Sequence, residues 1–312
     1  MRGGAVNRPI HWILVANVWA QSLILLSGAV VRLTSSGLGC PTWPTCTGNS
    51  WIPVAGQVQG WHKYVEFTNR TLTGVLIVIA FVAFGAVVFH VFTRQPRRTV
   101  LVWLAAVPLF GTFVQAVLGG ITVLTKLNPW TVSAHFLVSI TIVFFTVTLQ
   151  IRADETGDGP LVLTVHPIVR KASIFLTCVG GFIVLLGVVT TGSGPHAGDK
   201  VAARFHFDQR VVAWFHADTV LFFLGLLIGI IIALYVTDAP DVVRRRAWYI
   251  VIIACGQGAI GYTQWFTGLP EALVAMHVAG ATLLWVFLTR YLLSTRSRTA
   301  VDVTLPEAIP AT

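Results

Sequence analysis

The chain is poor in charge. Of its 312 residues only 11% are Asp, Glu, Lys or Arg, less than half of the roughly 25% usual in soluble domains. That scarcity excludes a soluble enzyme, a disordered chain and a coiled coil. Strict two-residue alternation is also missing from the apolar segments, which excludes an outer-membrane barrel. Cysteine is rare, with four in all. Cys178 and Cys255 lie inside apolar runs and read as inert packing residues, whereas Cys40 and Cys46 share a polar loop.

What the chain has instead is apolar length. Hydrophobic residues make up 55%, gathered into runs of about 20 residues, each enough to cross a bilayer. The fold class is therefore an all-α polytopic membrane protein. Eight spans are expected at about 11–33, 66–92, 99–123, 130–151, 169–191, 208–236, 245–267 and 271–293. The first run is longer than the apolar region of a signal peptide and no small-residue cleavage pattern follows it, so it reads as a span. The formal charge of +9 does not call for a nucleic acid, because the basic residues sit at span ends. Fourteen Lys and Arg fall on one side, among them Arg2, Arg97, Arg98, Arg152 and Arg244, and seven on the other, among them Arg32, Lys63, Arg70 and Arg210. The richer side is the cytoplasmic one. Both termini are then inside, and the Cys40–Cys46 loop faces outward, where disulfides persist.

The polar connection 152–168 divides the spans four and four, and the division matches an internal repeat. QAVLGGITVLTKLNPWTVSAH (115–135) and QGAIGYTQWFTGLPEALVAMH (257–277) share Gln, a Gly four residues on and His twenty residues after the Gln. The segments around VEFTNRTLTG (65–74) and AWFHADTVLF (213–222) place Asn69 opposite His216. GAVVRLTSSG (28–37) loosely resembles GVVTTGSG (187–194). The expected organisation is a four-helix bundle over 1–151, the linker 152–168, a second bundle over 169–298 and a disordered tail 299–312. An even number of spans per repeat relates the bundles by an axis along the membrane normal.

Of nine histidines, His11, His90 and His166 lie at cytoplasmic span ends or in a cytoplasmic loop and need no special role. His135, His216 and His277 sit inside spans, one to two turns from the outer end. Polar groups at that depth are costly and face a bundle interior. Two imidazoles on facing helices, His216 and His277, can ligate one haem iron from opposite sides; structural hydrogen bonding or a proton relay are the other readings. The equivalent pair in the first bundle is Asn69 and His135, and a neutral amide is a poor iron ligand. Glu66, one turn before Arg70, reads either as an exposed i,i+4 pair or as a carboxylate that accepts protons beside a reaction centre. Arg70 and Arg210 can pair with haem propionates or snorkel to the surface. Asp218 lies inside span six, off the His216 face. Cys40-Pro-Thr-Trp-Pro-Thr-Cys46 can close a short loop, worth about 2–2.5 kcal/mol in the chain-entropy model, as a staple or as a redox-active pair.

Through GLGCPTWPTC (37–46), the Glu66–Arg70 segment and the histidines at 135, 216 and 277, the chain resembles the haem A synthase family from about residue 12 to 293. The resemblance implies a membrane oxidoreductase that converts haem O to haem A for terminal oxidases. One porphyrin methyl becomes a formyl group, a net four-electron change usually described as two hydroxylations and loss of water. It further implies that His216 and His277 hold a resident haem b, that His135 faces the substrate haem, that Glu66 is the catalytic acidic residue and that Cys40 and Cys46 form the disulfide of many bacterial members. A haem O synthase upstream, a membrane electron acceptor, a bacterial cell membrane and a homo-oligomer belong to the same expectation. One departure stands out: many members have a histidine where this chain has Asn69. A non-catalytic b-type cytochrome would explain His216 and His277 equally well, but needs neither Glu66 nor the cysteine loop.

Overall fold

A computed structural model describes residues 5–94 and 97–298. The expected tail 299–312, like Arg2, lies outside the described residues. Eight long helices dominate: α1 (Arg8–Leu33), α2 (His62–Thr93), α3 (Thr99–Leu124), α4 (Pro129–Asp154), α5 (Pro167–Ser193), α6 (Gln209–Val236), α7 (Asp241–Phe266) and α8 (Glu271–Ser294). The starts are written locally. Asn7 accepts from the Ile10 N–H, Asn128 from Trp130, and Asp208 from Arg210 and Val211, which satisfies donors that a first turn leaves free. Prolines with no N–H to lose stand at the first turns of α1, α4 and α5.

Seven helices are long and apolar enough to cross a membrane, and α7 is not among them. It has the length, 26 residues, but Arg244, Arg245 and Arg246 open it and Gln257 and Gln264 interrupt its apolar run. The chain is a multi-pass membrane protein. Its outward surface accordingly carries large apolar side chains such as Phe81, Trp103, Ile252 and Phe266. Cys178 and Cys255 are exposed on that surface, so they do not pack in a core as expected; the helix face they occupy is the one turned to lipid.

Within α1–α4, α1 touches α2 and α4, α2 touches α3, and α3 touches α4; α5–α8 repeat the ring in the same order. Buried positions recur in register between the two rings, as in Ile10 and Val169, Leu76 and Phe223, Ala105 and Ala247, and Leu149 and Tyr291. Between the rings α8 packs on α1 and α4, and α4 on α5. The indole Nε1 of Trp285 donates across this seam to the Ile140 carbonyl at 3.0 Å. At one end Arg32 donates to the carbonyls of His196 at 2.5 Å and Thr191 at 2.8 Å. At the other, Arg290 bonds Gln150 and Arg296 pairs with Glu155 at 2.9 Å.

The linker is not wholly irregular. Its residues Leu161–Leu163 form strand β1, paired antiparallel with β2 (Arg296–Arg298) just beyond α8. Three residues are too few to read an alternation from sequence, and the pairing spans more than a hundred residues of chain.

Helix approach is closest where a side chain is missing. A Cβ on Gly180 would lie 2.5 Å from Leu288 Cδ2, whereas one on Gly229 would meet nothing within 4 Å. Gly180→Ala should therefore lower stability by about 1–3 kcal/mol through overpacking, while Gly229→Ala should be neutral or stabilise by up to about 1 kcal/mol. Thermal unfolding of the two variants in one detergent checks this; equal midpoints would show that the α5–α8 seam is looser than its contacts imply.

Candidate haem site

The three intramembrane histidines each lie against a glycine on a neighbouring helix. His216 on α6 faces Gly187 on α5, His277 on α8 faces Gly261 on α7, and His135 on α4 faces Gly119 on α3; a Cβ at those glycines would sit 3.3, 3.4 and 3.5 Å from the respective imidazole Cε1. The repeated Gln-Gly-His spacing is thereby explained: the glycine leaves room for a ring, and the ring comes from the next helix. Beside two of these glycines, one turn earlier, a backbone carbonyl lies near the imidazole, that of Ile183 for His216 and that of Gln257 for His277. Neither approach meets strict hydrogen-bond geometry, and the Nδ1 atoms of all three histidines are buried without a full partner. A carbonyl on the Nδ1 side fixes a ring so that Nε2 is left for a metal.

His216 and His277 come together, with ring centroids 6.5 Å apart and planes at 67°. Metal–imidazole bonds are about 2 Å long, so two imidazoles on opposite sides of one metal have centroids about 6 Å apart. The pair fits bis-imidazole ligation of a haem iron. No group of three or more metal-binding side chains occurs among the described residues, so two protein donors are what the site offers.

The first ring is built differently. Asn69 on α2 stands where His216 stands on α6, and its Oδ1 accepts from Ser27 Oγ at 2.7 Å. Ser27 occupies the position of Leu186, and Gly28, the counterpart of Gly187, has nothing within 4 Å of a Cβ. By the repeat, the position across from His135 holds an amide–hydroxyl pair and open space over Gly28 rather than a second ring. His62 is not drawn in: its Nδ1 bonds Ser36 Oγ at 2.9 Å and its ring stacks on Trp61.

Glu66 is only 5% exposed, which corrects the expectation of an exposed pair. Arg70 donates to its Oε1 from Nη2 at 2.5 Å and from Nε at 3.1 Å. Oε2 accepts the Cys40 N–H at 2.7 Å. Arg70 also donates to the carbonyls of Cys40, Thr42 and Thr45 at 2.8, 3.0 and 3.1 Å. Carboxylate and guanidinium together hold the loop between Cys40 and Cys46, which are disulfide-bonded and fully buried. Trp43 of that loop packs over Gly120 on α3, where a Cβ would collide with the indole. Sequence spacing could not reveal this clamp, since i,i+4 pairing predicts contact between Glu66 and Arg70 but says nothing of the loop folded onto them. Arg210 lies outside the clamp, its guanidinium 5.2 Å from the Trp214 ring centroid. Asp218 faces outward in a groove lined by Phe175, Phe182, Phe215 and Phe222.

A family model described as a cytochrome oxidase assembly protein, COX15-CtaA, matches residues 10–289. A heme A synthase of Lysinibacillus sphaericus is 34% identical over 161 residues, 49% of this chain and 48% of that protein. One of Staphylococcus haemolyticus is 25% identical over 201 residues, 63% of this chain and 62% of that protein. A protoheme IX farnesyltransferase of Thermus thermophilus is 27% identical over 305 residues, 91% of this chain and 48% of that protein. The chain spans about half the length of the curated relatives it matches.

The clamp sets a redox expectation. The disulfide should resist a water-soluble reductant in the folded protein and yield once Arg70→Ala frees the loop. Alkylation followed by mass measurement reads both states, and rapid reduction of the folded wild type would mean that the loop is not held.

Proposed function

The chain belongs to the COX15-CtaA family of cytochrome oxidase assembly proteins, and from that premise we propose that it is a haem A synthase. In this reading it oxidises a methyl group of haem O to a formyl group in a bacterial cell membrane. The observation that carries the proposal is the facing pair His216 and His277 at 6.5 Å, within a chain matched to that family over nearly all its helices. Heme A synthases among its relatives support the activity. The farnesyltransferase relative supports a farnesylating enzyme as supplier of the substrate.

The proposal assigns the two rings of helices as two bundles with separate tasks. His216 and His277 hold haem b, which supplies one-electron redox chemistry when bound. Helix carbonyls of Ile183 and Gln257 lie near the two imidazoles, and their glycine neighbours admit the rings. His135 faces the substrate haem. The Cys40–Cys46 loop lies on the extracytoplasmic side and roofs the first bundle. Glu66 serves there in two ways: it orders the roof through the Cys40 N–H, and its carboxylate is the nearest proton acceptor the loop segment brings to that end of the bundle. Arg70 and Arg210, both at the outer ends of their helices, are the cations available to propionates; Arg70 can serve only through donors it now shares with the loop. Electrons leave through a membrane acceptor.

Expression with a source of haem O, followed by extraction and chromatography of the haems, tests the reading. Haem A in the extract is expected; haem b alone would favour a non-catalytic b-type cytochrome. His216→Ala or His277→Ala should each remove most bound haem b, and retention of the wild-type low-spin spectrum by both would refute the ligand assignment.

Glu66→Gln separates the two tasks of that residue. The amide oxygen can still accept from Cys40 although its NH2 then meets the Arg70 donors, so the clamp weakens while haem b in the other ring of helices should persist, and loss of a basic group at the reaction centre should slow haem A formation by roughly 10²–10⁴-fold. A wild-type rate would leave Glu66 with the clamp alone.

A further inference from the structure

The two rings of helices share their buried register but not their buried chemistry. A cavity of about 50 Å³ reaches from His135 one to two turns inward, to Gln21, Thr112, Gln115 and Ser139. Its polar groups are ordered. Gln21 Nε2 donates to Thr112 Oγ1 at 3.0 Å, and Gln115 Nε2 donates to Ser139 Oγ at 2.7 Å. Gln115 Oε1 is buried with no hydrogen-bond partner. One turn further inward on the Gln21 face of α1, Asn17 is 0% exposed and neither of its amide atoms has a partner. Buried polar groups are hydrogen-bonded as a rule, and those in a bilayer have no solvent to turn to.

The equivalent place in the second ring is apolar and full. Gly180 stands for Gln21, Ala254 for Thr112, Ala281 for Ser139 and Leu176 for Asn17. Over Gly180 the side chains of Leu288, Phe223 and Trp285 close the space. Only the glutamine is common to both, as Gln115 and Gln257, so it cannot distinguish them.

We propose that Gln21, Thr112 and Ser139 form a hydroxyl-recognising subsite that admits a hydroxyl-bearing porphyrin to the first bundle. The ligand's identity rests on the function proposed above; the polar chamber does not. A haem carries its two propionates on one edge, and carboxylates favour the membrane surface over its interior. The opposite edge then points inward, toward the chamber. In haem O that edge bears the hydroxyethylfarnesyl group, whose hydroxyl can donate to the free Gln115 Oε1. Protohaem has a vinyl group there and would leave Gln115 Oε1 unpaired. A site built to bond a hydroxyl discriminates strongly against the analogue that lacks it. The filled, apolar counterpart in the second bundle suits the vinyl group. One duplicated fold would thus sort two haems that differ in a single substituent.

Thr112→Val and Ser139→Ala, singly and together, keep the volume nearly constant and move the chamber toward its second-ring counterpart. The membrane protein is to be purified from cells that supply both haem O and haem b, and bound haems counted by chromatography. Wild type should hold haem O or its oxidised products in about equal amount to haem b. The double variant should lower that ratio roughly tenfold to a hundredfold, as expected for lost pairings of a buried hydroxyl, with protohaem taking the first site and total haem and the low-spin spectrum retained. An unchanged ratio in a double variant that keeps its low-spin haem would overturn the subsite. So would wild type that fills the first site with protohaem as readily as with haem O. If the double variant does not accumulate, Thr112→Val alone decides by the same ratio. Wild type that selects haem O yet forms no haem A would leave the subsite standing and sink the proposed reaction instead.

Discussion

Every polar group at membrane depth must find its partner inside the protein, and that constraint organises the whole molecule. The helices supply their own backbone bonds. What remains is a short list of imidazoles, amides and hydroxyls, and each is placed where another group can meet it. Glycines admit the three imidazoles, Ser27 meets Asn69, and Ser173 meets Tyr291 at 2.8 Å. Among the groups still unpartnered are the imidazole Nδ1 atoms and the amides of Asn17, Gln115 and Gln257, together with Gln59, Gln264 and Arg244. The larger groove, around Asp218, opens on the lipid face and touches none of the histidines.

Duplication gives the chain an internal control. Because Ile10 and Val169, or Ala80 and Leu227, are buried in the same register, a change in residue type between the halves reflects a change of environment rather than of fold. Most such changes exchange one apolar side chain for another. A few do not. Toward the end where α1 and α5 begin, the second half carries the Ser173–Tyr291 pair where the first has Leu14 and Leu149; nearer the histidines the polarity reverses, with Asn17, Gln21 and Thr112 against Leu176, Gly180 and Ala254. The first half is the wetter one beside its histidine.

The helices are legible in sequence because hydropathy and span length are one-dimensional signals, and their ends fall within a few residues of expectation except where charged first turns extend the helix, as at Asp241 and His62. The histidine pair is legible because the repeat places His216 and His277 on helices six and eight. The glycine beside each ring is visible as spacing, though its reason, room for an imidazole from the next helix, needs the packing. What cannot be read is anything made by the outer loop folding back. Glu66 reads equally as an i,i+4 pair with Arg70 or as a carboxylate beside a reaction centre, because no local rule says that Cys40, Thr42 and Thr45 present backbone groups to the pair. Gln21, Thr112 and Asn17 escape notice for a similar cause: single polar residues in apolar spans are common helix contacts, and only their convergence on one cavity distinguishes them.

Asn69 is the sharpest local departure, and its surroundings show that it is accommodated rather than merely tolerated. An amide in place of an imidazole leaves a gap over Gly28, the glycine whose counterpart in the other half lies under the His216 ring. Asn69 is half-buried there, and without a partner its oxygen would lose part of the bonding that water gives it. Ser27, where the other half has Leu186, removes that loss with a 2.7 Å bond. The serine hydroxyl also lies 2.9 Å from the Ile24 carbonyl, which holds it on the helix when it is not engaged with the amide. Two residues on two helices thus form one polar unit where the other half has a histidine and a leucine. Asparagine at this position beside a leucine would leave an unpaired group; asparagine beside Ser27 does not. His135 consequently faces a site with one ring and one side left to small polar groups, whereas His277 faces a second ring. The asymmetry in ligand set and the asymmetry in the polar chamber fall in the same half of the molecule and on the same side of function. Under the proposed function, both equip the first ring of helices for a haem that is acted on and the second for one that stays.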